Sequence, residues 1–296
     1  RRSNGKMNKL KALIEILRPK QWTKNCFVFA GIIFSKNIFN FPYLIKTILA
    51  FISFCLMSSS VYIINDIKDK EADKLHPKKR KRPLPSGRLK SWEAFILFIL
   101  TFASSVGLAL KIGCKFSYVI LSYFFLNLLY TLLLKKIVII DILTIAFGFV
   151  LRALGGAVAI NVDFSPWLFI STLTLSIFLG LAKRRAELIG LEENAHKHRK
   201  TLKEYTLPFI DQLISISVAS TLIAYSIYTV SSETISKFGR EIMLTTVFVI
   251  YGLFRYLYLV YIKHEGDAPE KVVLKDKSLI LGILLWGITV FLCIYL

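Results

Sequence analysis

The sequence predicts an all-α, polytopic membrane protein, and three observations support this fold class. Hydrophobic residues make up 55% of the 296-residue chain, which includes 23 Phe and 13 Tyr. A chain of this composition has too little polar surface to cover a water-soluble globule. Its apolar residues form long uninterrupted runs, and most of its basic residues lie in the short segments between them. Both patterns are typical of membrane-spanning helices.

Nine apolar runs are long enough to span a membrane, since a helix needs about 20 residues to cross the hydrocarbon. The first run is the least regular because Lys36 and Pro42 interrupt it. We therefore expect nine transmembrane helices, give or take one. In chain order the runs lie at about 25–44, 45–64, 92–110, 116–134, 138–160, 165–182, 208–230, 241–262 and 278–296.

The basic residues predict the orientation of the chain. With a cytoplasmic N-terminus, 31 of the 39 Lys and Arg residues lie in cytoplasmic segments and six lie on the opposite side. This positive-inside pattern explains the net charge of +20 without a nucleic-acid partner. We expect one domain in the cell (inner) membrane, with the long polar loops 65–90 and 183–207 in the cytoplasm. Residues 1–6 precede Met7 and are expected to be an upstream extension or an expression remnant.

An acidic helix face follows the second run. If the helix continues, Asn65, Asp66, Asp69 and Asp73 fall within an arc of about 100°, whereas Glu71 points elsewhere. Carboxylates on one face repel each other unless a cation lies between them. One such arrangement is Mg²⁺ held by carboxylates together with phosphate oxygens of a substrate. The alternative is a solvated helix end of mixed charge, because lysines are interleaved with the carboxylates.

The next stretch, residues 76–87, is basic and rich in helix breakers. Pro83, Pro85 and Gly87 are expected to turn the chain back to the membrane, which brings Lys79, Arg80 and Arg82 close to the carboxylates. A divalent metal on one side and cationic side chains on the other form a clamp for a diphosphate.

Charged residues within the predicted spans are costly to insert, so each is a candidate substrate-binding residue. Asp141 and Arg152 both lie in the fifth span, and about three helical turns separate them on one face. At roughly 16 Å they are too far apart to pair directly, but they could line one cavity. Arg255 lies in the eighth span. The alternative for each residue is an interhelical ion pair.

These residues together resemble the UbiA superfamily of intramembrane prenyltransferases. The similarity includes the first aspartate-rich motif and its trailing loop, which read here Asn65-Asp66-x-x-Asp69-x-x-x-Asp73 and Arg82-Pro83-Leu84-x-Ser86-Gly87. The resemblance covers essentially the whole chain. It implies an all-helical bundle around a central cavity that opens to the cytoplasmic side and, laterally, to lipid.

The loop after the sixth span departs from the ordinary pattern of that family. Most members have a second aspartate-rich motif there, whereas this loop begins Lys183-Arg184-Arg185-Ala186-Glu187. One acidic and one basic half suit a substrate with a Mg-diphosphate at one end and a separate phosphate at the other. The pattern resembles the decaprenyl-phosphate phosphoribosyltransferase branch. The stretches that are similar to this branch are 18–25, 76–83, 149–156, 183–188 and 269–276.

The resemblance implies transfer of a 5-phosphoribosyl group from phosphoribosyl diphosphate (PRPP) to a polyprenyl phosphate. The three aspartates of the motif would hold Mg²⁺, assisted by Asn65, while Lys79 and Arg82 would contact the leaving diphosphate. The 5-phosphate would be bound by Lys183 and Arg184, with Tyr205 assisting. The lipid phosphate would lie near one of three basic residues, which are Lys24, Lys135 and Arg152.

The loops 65–90 and 183–207 are the expected lids, because water at ribose C1 would hydrolyse PRPP. The resemblance also implies the partners, which are PRPP, a polyprenyl phosphate and the lipid bilayer. Whether the protein forms a homo-oligomer stays open.

Two other functions stay open on the sequence. An ordinary UbiA-type prenyltransferase moves a prenyl chain from prenyl diphosphate to an aromatic or lipid acceptor, and it predicts a second acidic cluster after the sixth span. A transporter predicts ionisable residues near the membrane midplane and broken helices in matched halves. The basic stretch at 183–185 and the acidic cluster at the end of a span favour phosphoribosyl transfer over both.

Overall fold

The computed structural model describes residues 2–75, 79–189, 204–264 and 269–296, and over these ranges it contains helices and no β-strand. The all-α prediction is thereby confirmed. The chain forms two compact units. Unit 1 comprises Arg1–Leu132 and Leu151–Asp163, and unit 2 comprises Leu133–Val150 and Phe164–Leu296.

Unit 1 contains three long helices, several short helical segments and the last part of a fourth long helix. A 3-10 segment at Pro19–Phe29 joins its first two helices. A second 3-10 turn, Lys79–Lys81, lies in the basic stretch. In chain order the α-helices are α1 (Arg2–Leu17), α2 (Ala30–Phe34), α3 (Phe41–Lys68), α4 (Lys70–Leu75), α5 (Ser91–Ile112), α6 (Cys114–Leu132) and α7 (Ile140–Ala159), of which unit 1 holds the part from Leu151 onward.

Unit 2 contains the first part of α7, four further long helices and two short ones. The 3-10 turns Leu134–Lys136 and Arg240–Leu244 precede α7 and α11. The helices after α7 are α8 (Pro166–Ile189), α9 (Leu207–Val230), α10 (Ser232–Phe238), α11 (Thr245–Tyr261), α12 (Pro269–Lys275) and α13 (Lys277–Tyr295).

Eight helical segments in the described part of the chain are long and apolar enough to cross a membrane. The predicted span at 25–44 is not one of them, because the chain there is a 3-10 segment followed by the five-residue α2. Lys36 has a φ of 61°, so the helix cannot continue through it into α3. The count of nine is therefore not confirmed, while a multi-pass membrane protein is.

Small polar side chains join α3 to α5 inside unit 1. The hydroxyls of Ser53 and Ser105 lie 3.1 Å apart, and those of Ser60 and Thr101 lie 2.7 Å apart. All four residues are buried. Short hydroxyl side chains let two helices approach closely and bond to each other, a packing mode that suits a lipid environment.

The 3-10 segment packs directly on the end of α7, backbone against backbone. A Cβ added at Gly156 would lie 1.8 Å from the carbonyl oxygen of Val28, and one added at Gly31 would lie 2.6 Å from the amide nitrogen of Ala157. Both positions therefore require glycine, and the segment between Pro19 and Phe29 is held at a fixed distance from α7.

Candidate active site

Two buried carboxylates lie where α3 ends and α4 begins. Asp66 and Asp73 are each 3% exposed. The helix is irregular at Asp69, yet the Asp69 amide donates to the Asn65 carbonyl at 2.9 Å and the Asp73 amide donates to the Asp69 carbonyl at 2.8 Å. This spacing preserves the helical repeat across the break. Asp66 and Asp73 therefore stay on one side, as the sequence predicts.

Arg82 bridges the two buried carboxylates. Its Nη1 lies 3.2 Å from Asp66 Oδ1 and 2.6 Å from Asp73 Oδ2. Lys79 Nζ lies 3.7 Å from Asp73 Oδ1. The Leu89 amide bonds to the Pro83 carbonyl at 3.1 Å, which closes the turn after Arg82. The structure thus brings Lys79 and Arg82 back to the carboxylates as predicted, whereas Arg80 is exposed.

Arg18 is a third cation of this cluster, and the sequence analysis gave it no role. Its Nη2 lies 2.5 Å from Asp66 Oδ1, although 48 residues separate the two in the chain. Arg18 has a φ of 53°, which places it at a sharp corner between α1 and the 3-10 segment. Its guanidinium also lies 4.8 Å from the centre of the Tyr62 ring. The only local signal was an arginine before Pro19 at the approach to an apolar run. We refer to Asp66, Asp69, Asp73, Arg18, Lys79 and Arg82 as the carboxylate–arginine cluster.

Glu71 lies outside this cluster, as predicted. Its side chain is 77% exposed and pairs with Lys74 at 2.8 Å, which lowers the Glu71 pKa through that hydrogen bond. Arg88 and Glu15 form a separate exposed pair at 2.7 Å.

The carboxylate–arginine cluster offers the oxygen donors that Mg²⁺ prefers. In the described residues, no three His, Cys, Asp or Glu side chains converge as a preformed metal site. Asp66 and Asp73 face arginine instead, and Asp69, at the junction of α3 and α4, is half-buried. The donor chemistry fits a hard cation provided that the guanidinium groups move aside.

A buried polar network holds the 3-10 segment of unit 1. Asn25 is fully buried, and its Oδ1 accepts a 2.7 Å bond from Arg152 Nε. Arg152 Nη2 donates to the Tyr123 hydroxyl at 2.7 Å. Asn25 Nδ2 in turn lies 3.3 Å from Cys55 Sγ. Arg152 thus supports the chain beside Lys24, which is half-buried.

Unit 2 contains a buried ion pair around Asp141, which is 0% exposed. Arg184 Nε lies 3.1 Å from Asp141 Oδ2, and the Tyr205 hydroxyl donates to Asp141 Oδ1 at 3.1 Å. The same hydroxyl accepts a 2.7 Å bond from the amide of Ile139. Arg184 also pairs with Glu187 at 2.6 Å. Asp141 therefore has partners on both oxygens, which matches the ion-pair alternative for a charge within a span.

Desolvation raises the pKa of Tyr205 to about 12. The hydroxyl therefore keeps its proton at physiological pH and donates a hydrogen bond to Asp141. Tyr205 is therefore suited to hold Asp141 in place and unsuited to act as a base.

The remaining predicted residues of unit 2 lie at its surface or in a second ion pair. Lys183 is exposed and Lys135 is half-buried. Arg255 forms two bonds to Asp276, of 3.1 and 2.8 Å, and Asp276 caps α13 by accepting from the Leu279 amide at 2.7 Å. Arg255 thus also forms the ion pair that the sequence left as the alternative.

Parts of both predicted lids lie outside the described residues. These parts are 76–78, which include His76 of the basic stretch, and 190–203.

Comparison with known proteins gives consistent matches over nearly the whole chain. Residues 26–281 match the UbiA prenyltransferase family. The chain is 32% identical to decaprenyl-phosphate phosphoribosyltransferase of Corynebacterium glutamicum, with 96% of this chain and 87% of the relative covered. It is 30% identical to the enzyme of the same name from Mycolicibacterium smegmatis, with 97% and 94% covered. A solved UbiA homologue from Archaeoglobus fulgidus, bound to DMAPP and Mg²⁺, superposes with a TM-score of 0.71 at 16% identity and covers 95% of this chain and 98% of that one.

Proposed function

The chain belongs to the UbiA prenyltransferase family, and from that premise we propose that it transfers the 5-phosphoribosyl group of PRPP to a polyprenyl phosphate with Mg²⁺. In this reaction the bond between ribose C1 and the diphosphate oxygen breaks, and a bond between C1 and a phosphate oxygen of the lipid forms. Pyrophosphate leaves, and the product is a polyprenylphosphoryl phosphoribose.

The observation that carries the proposal is the carboxylate–arginine cluster at the end of a membrane span. Its two buried carboxylates, Asp66 and Asp73, are contacted by Arg18, Arg82 and Lys79. Oxygen donors for a hard metal and guanidinium groups for phosphate oxygens thus lie within one cluster. This combination suits a metal-bound diphosphate better than a neutral or singly charged ligand.

Mg²⁺ bound by Asp66, Asp69 and Asp73 would offset the charge that develops on the leaving diphosphate. Arg18 and Arg82 would add hydrogen bonds to the same oxygens, and these bonds strengthen as negative charge accumulates there. The lipid phosphate is already anionic at neutral pH, so the chain needs no general base to activate it.

The sugar donor is inferred from similarity over nearly the full chain and from the basic stretch at 183–185. Two relatives named decaprenyl-phosphate phosphoribosyltransferase are about 30% identical over nearly the whole length. Lys183 and Arg184 replace carboxylates that a second Mg²⁺ on a prenyl diphosphate would need. Because Arg184 is buried against Asp141, exposed Lys183 is the stronger candidate for the 5-phosphate. Lys24 and Lys135 stay predictions for the lipid phosphate.

The positive-inside distribution supports a cytoplasmic position for the carboxylate–arginine cluster. PRPP is water-soluble, whereas a polyprenyl phosphate reaches the enzyme through the bilayer. We therefore place the reaction at the cytoplasmic face of the cell membrane.

A donor-competition assay tests the proposal. Membranes containing the protein are incubated with Mg²⁺, a polyprenyl phosphate and either PRPP labelled in the ribose or a labelled prenyl diphosphate. We expect the ribose label in the lipid extract, dependent on Mg²⁺ and abolished by EDTA. Label from the prenyl diphosphate alone would instead identify an ordinary prenyltransferase, and label from neither donor would reject both.

A further inference from the structure

The carboxylate oxygens proposed to bind metal are engaged by arginine in the structure. Asp66 Oδ1 contacts Arg18 Nη2 at 2.5 Å and Arg82 Nη1 at 3.2 Å. Asp73 Oδ2 contacts Arg82 Nη1 at 2.6 Å. A metal ion cannot bind these oxygens at coordination distance while both guanidinium groups remain in place.

The arginines are the accessible members of these pairs. The side chains of Arg18 and Arg82 are 27% and 32% exposed, whereas those of Asp66 and Asp73 are 4% and 5% exposed. An anion that approaches from solvent therefore meets guanidinium before carboxylate. A guanidinium has five N–H donors, so it can begin to bind a phosphate before it leaves its carboxylate.

The arginines that a metal displaces need new acceptors. A bare divalent metal would take the carboxylate oxygens of Asp66 and Asp73 and leave Arg18 and Arg82 without them. A Mg-diphosphate complex supplies phosphate oxygens that can accept from the displaced arginines. Metal and diphosphate should thus be favoured together and the bare metal disfavoured.

We propose that Arg18 belongs to the diphosphate site, and that Arg18 and Arg82 hold Asp66 and Asp73 in place of a metal and transfer to the diphosphate when the metal enters. This inference rests on the proposed function for the existence of a metal diphosphate. It adds Arg18 to the proposed diphosphate site, and it adds a step in which the two arginines leave their carboxylates for phosphate oxygens. The arginines thereby stabilise the buried carboxylates between turnovers and prevent unproductive capture of free metal.

The proposed exchange predicts that removing an arginine changes the affinities for two ligands in opposite directions. Removing an arginine uncovers carboxylate charge, so Mn²⁺ alone, used as the probe for Mg²⁺, should bind more tightly. The same change removes a donor for phosphate oxygens, so pyrophosphate should bind more weakly in the presence of Mg²⁺. Arginines with only a packing role would weaken both. Arginines that contact only the diphosphate would leave the affinity for Mn²⁺ unchanged.

The test uses the full chain in lipid nanodiscs, with Arg18→Gln and Arg82→Gln as variants. Arg88→Gln is the matched control, because Arg88 forms an arginine–carboxylate pair with Glu15 outside the cluster. Free Mn²⁺ is followed by electron paramagnetic resonance, and labelled pyrophosphate by equilibrium binding with Mg²⁺. In both cluster variants we expect about a tenfold gain in affinity for Mn²⁺ and about a tenfold loss for pyrophosphate. The control should match the wild type for both ligands.

Equal or weaker Mn²⁺ binding in both variants would overturn the exchange. Unchanged pyrophosphate binding in Arg18→Gln would remove Arg18 from the site. If Arg82→Gln does not fold, Arg82→Lys replaces it: the retained charge should leave Mn²⁺ affinity at the wild-type level while pyrophosphate binding falls. Neither measurement uses PRPP or a polyprenyl phosphate, so the result is independent of the donor-competition assay.

Discussion

The carboxylate–arginine cluster of unit 1 and the Asp141–Arg184 ion pair of unit 2 differ in how far their arginines are exposed to solvent. In unit 1, Asp66 is buried, while the arginines that contact it are about 30% exposed. In unit 2, the side chains of Asp141 and Arg184 are 0% and 5% exposed, and both oxygens of Asp141 have partners. In unit 1 the arginines are accessible for the proposed exchange with a ligand from solvent, whereas in unit 2 both members of the pair are buried. The exposure of the arginine is therefore a better guide than the ion pair itself to whether a buried carboxylate belongs to a ligand site or only stabilises the fold.

The largest expected effect is the loss of activity when a carboxylate of unit 1 is neutralised. Asp66→Asn and Asp69→Asn should each lower Mg²⁺-dependent turnover by on the order of 10³-fold, because they remove a proposed metal ligand. Glu71→Gln is the control, since that neighbouring carboxylate is exposed and pairs only locally. The readout is label transfer from PRPP, together with the amount of protein in the membrane. Full activity in both aspartate variants would contradict the metal assignment.

The second effect concerns stability and belongs to unit 2. Asp141→Asn should destabilise the folded protein by about 1–3 kcal/mol, because buried Arg184 loses its ion pair with Asp141 and keeps only the one with Glu187. Thermal unfolding in detergent, followed by loss of the monodisperse peak in gel filtration, measures the change. The double variant Asp141→Leu/Arg184→Met should recover part of the loss, because it buries no unpaired charge. A stable Asp141→Asn with impaired PRPP binding would instead make Asp141 a substrate residue.

A smaller effect on substrate binding is expected at the edge of the unit 2 cluster. Lys183→Ala should raise the KM for PRPP by about tenfold, as one charge-assisted hydrogen bond is lost, and leave the KM for the lipid near its wild-type value. Lys237→Ala, at an exposed lysine of α10, is the matched control. Equal dependence on PRPP in Lys183→Ala and wild type would remove Lys183 from the 5-phosphate site.

The smallest effect is expected at the ion pair that caps α13. The hydrogen bonds from Arg255 hold the pKa of Asp276 below its usual range. The pair therefore stabilises the folded protein above the usual pKa of aspartate, about 3.9, and this stability is lost as the pH falls through the lowered value. Asp276→Asn keeps a good cap and removes the charge. The thermal midpoint of this variant should lie slightly below that of the wild type at pH 7, and the two midpoints should converge in acid. A difference between them that does not change with pH would show that the variant acts through the helix cap and not through the charge.

The local parts of the cluster were predictable from the sequence. Helical spacing placed Asp66 and Asp73 on one face, and the breakers around Pro83 returned Arg82 to them. Both signals act over fewer than 20 residues, where backbone geometry dominates. The long apolar runs likewise predicted the membrane helices, except at 25–44, where the conformation of Lys36 separates two segments.

The distant partners were not predictable in the same way. Arg18 reaches Asp66 from 48 residues away, and Arg152 reaches Asn25 from 127 residues away. Asp141 meets Arg184 and Tyr205 at separations of 43 and 64 residues. Such pairs depend on how helices pack, which residue spacing does not encode. A charged residue within a span indicates that it has a partner in the fold, but the sequence does not show which residue that partner is.

The close approach of Gly156 to Val28 has a consequence for how the segment beside Arg18 can evolve. No side chain fits at Gly156 or Gly31, so the segment that begins beside Arg18 cannot drift along α7 as its sequence varies. Where this segment contributes to ligand binding, its contribution can therefore change by exchange of its side chains and not by a shift of its backbone. Two positions without a side chain thus fix the path of the chain beside Arg18 while its sequence varies.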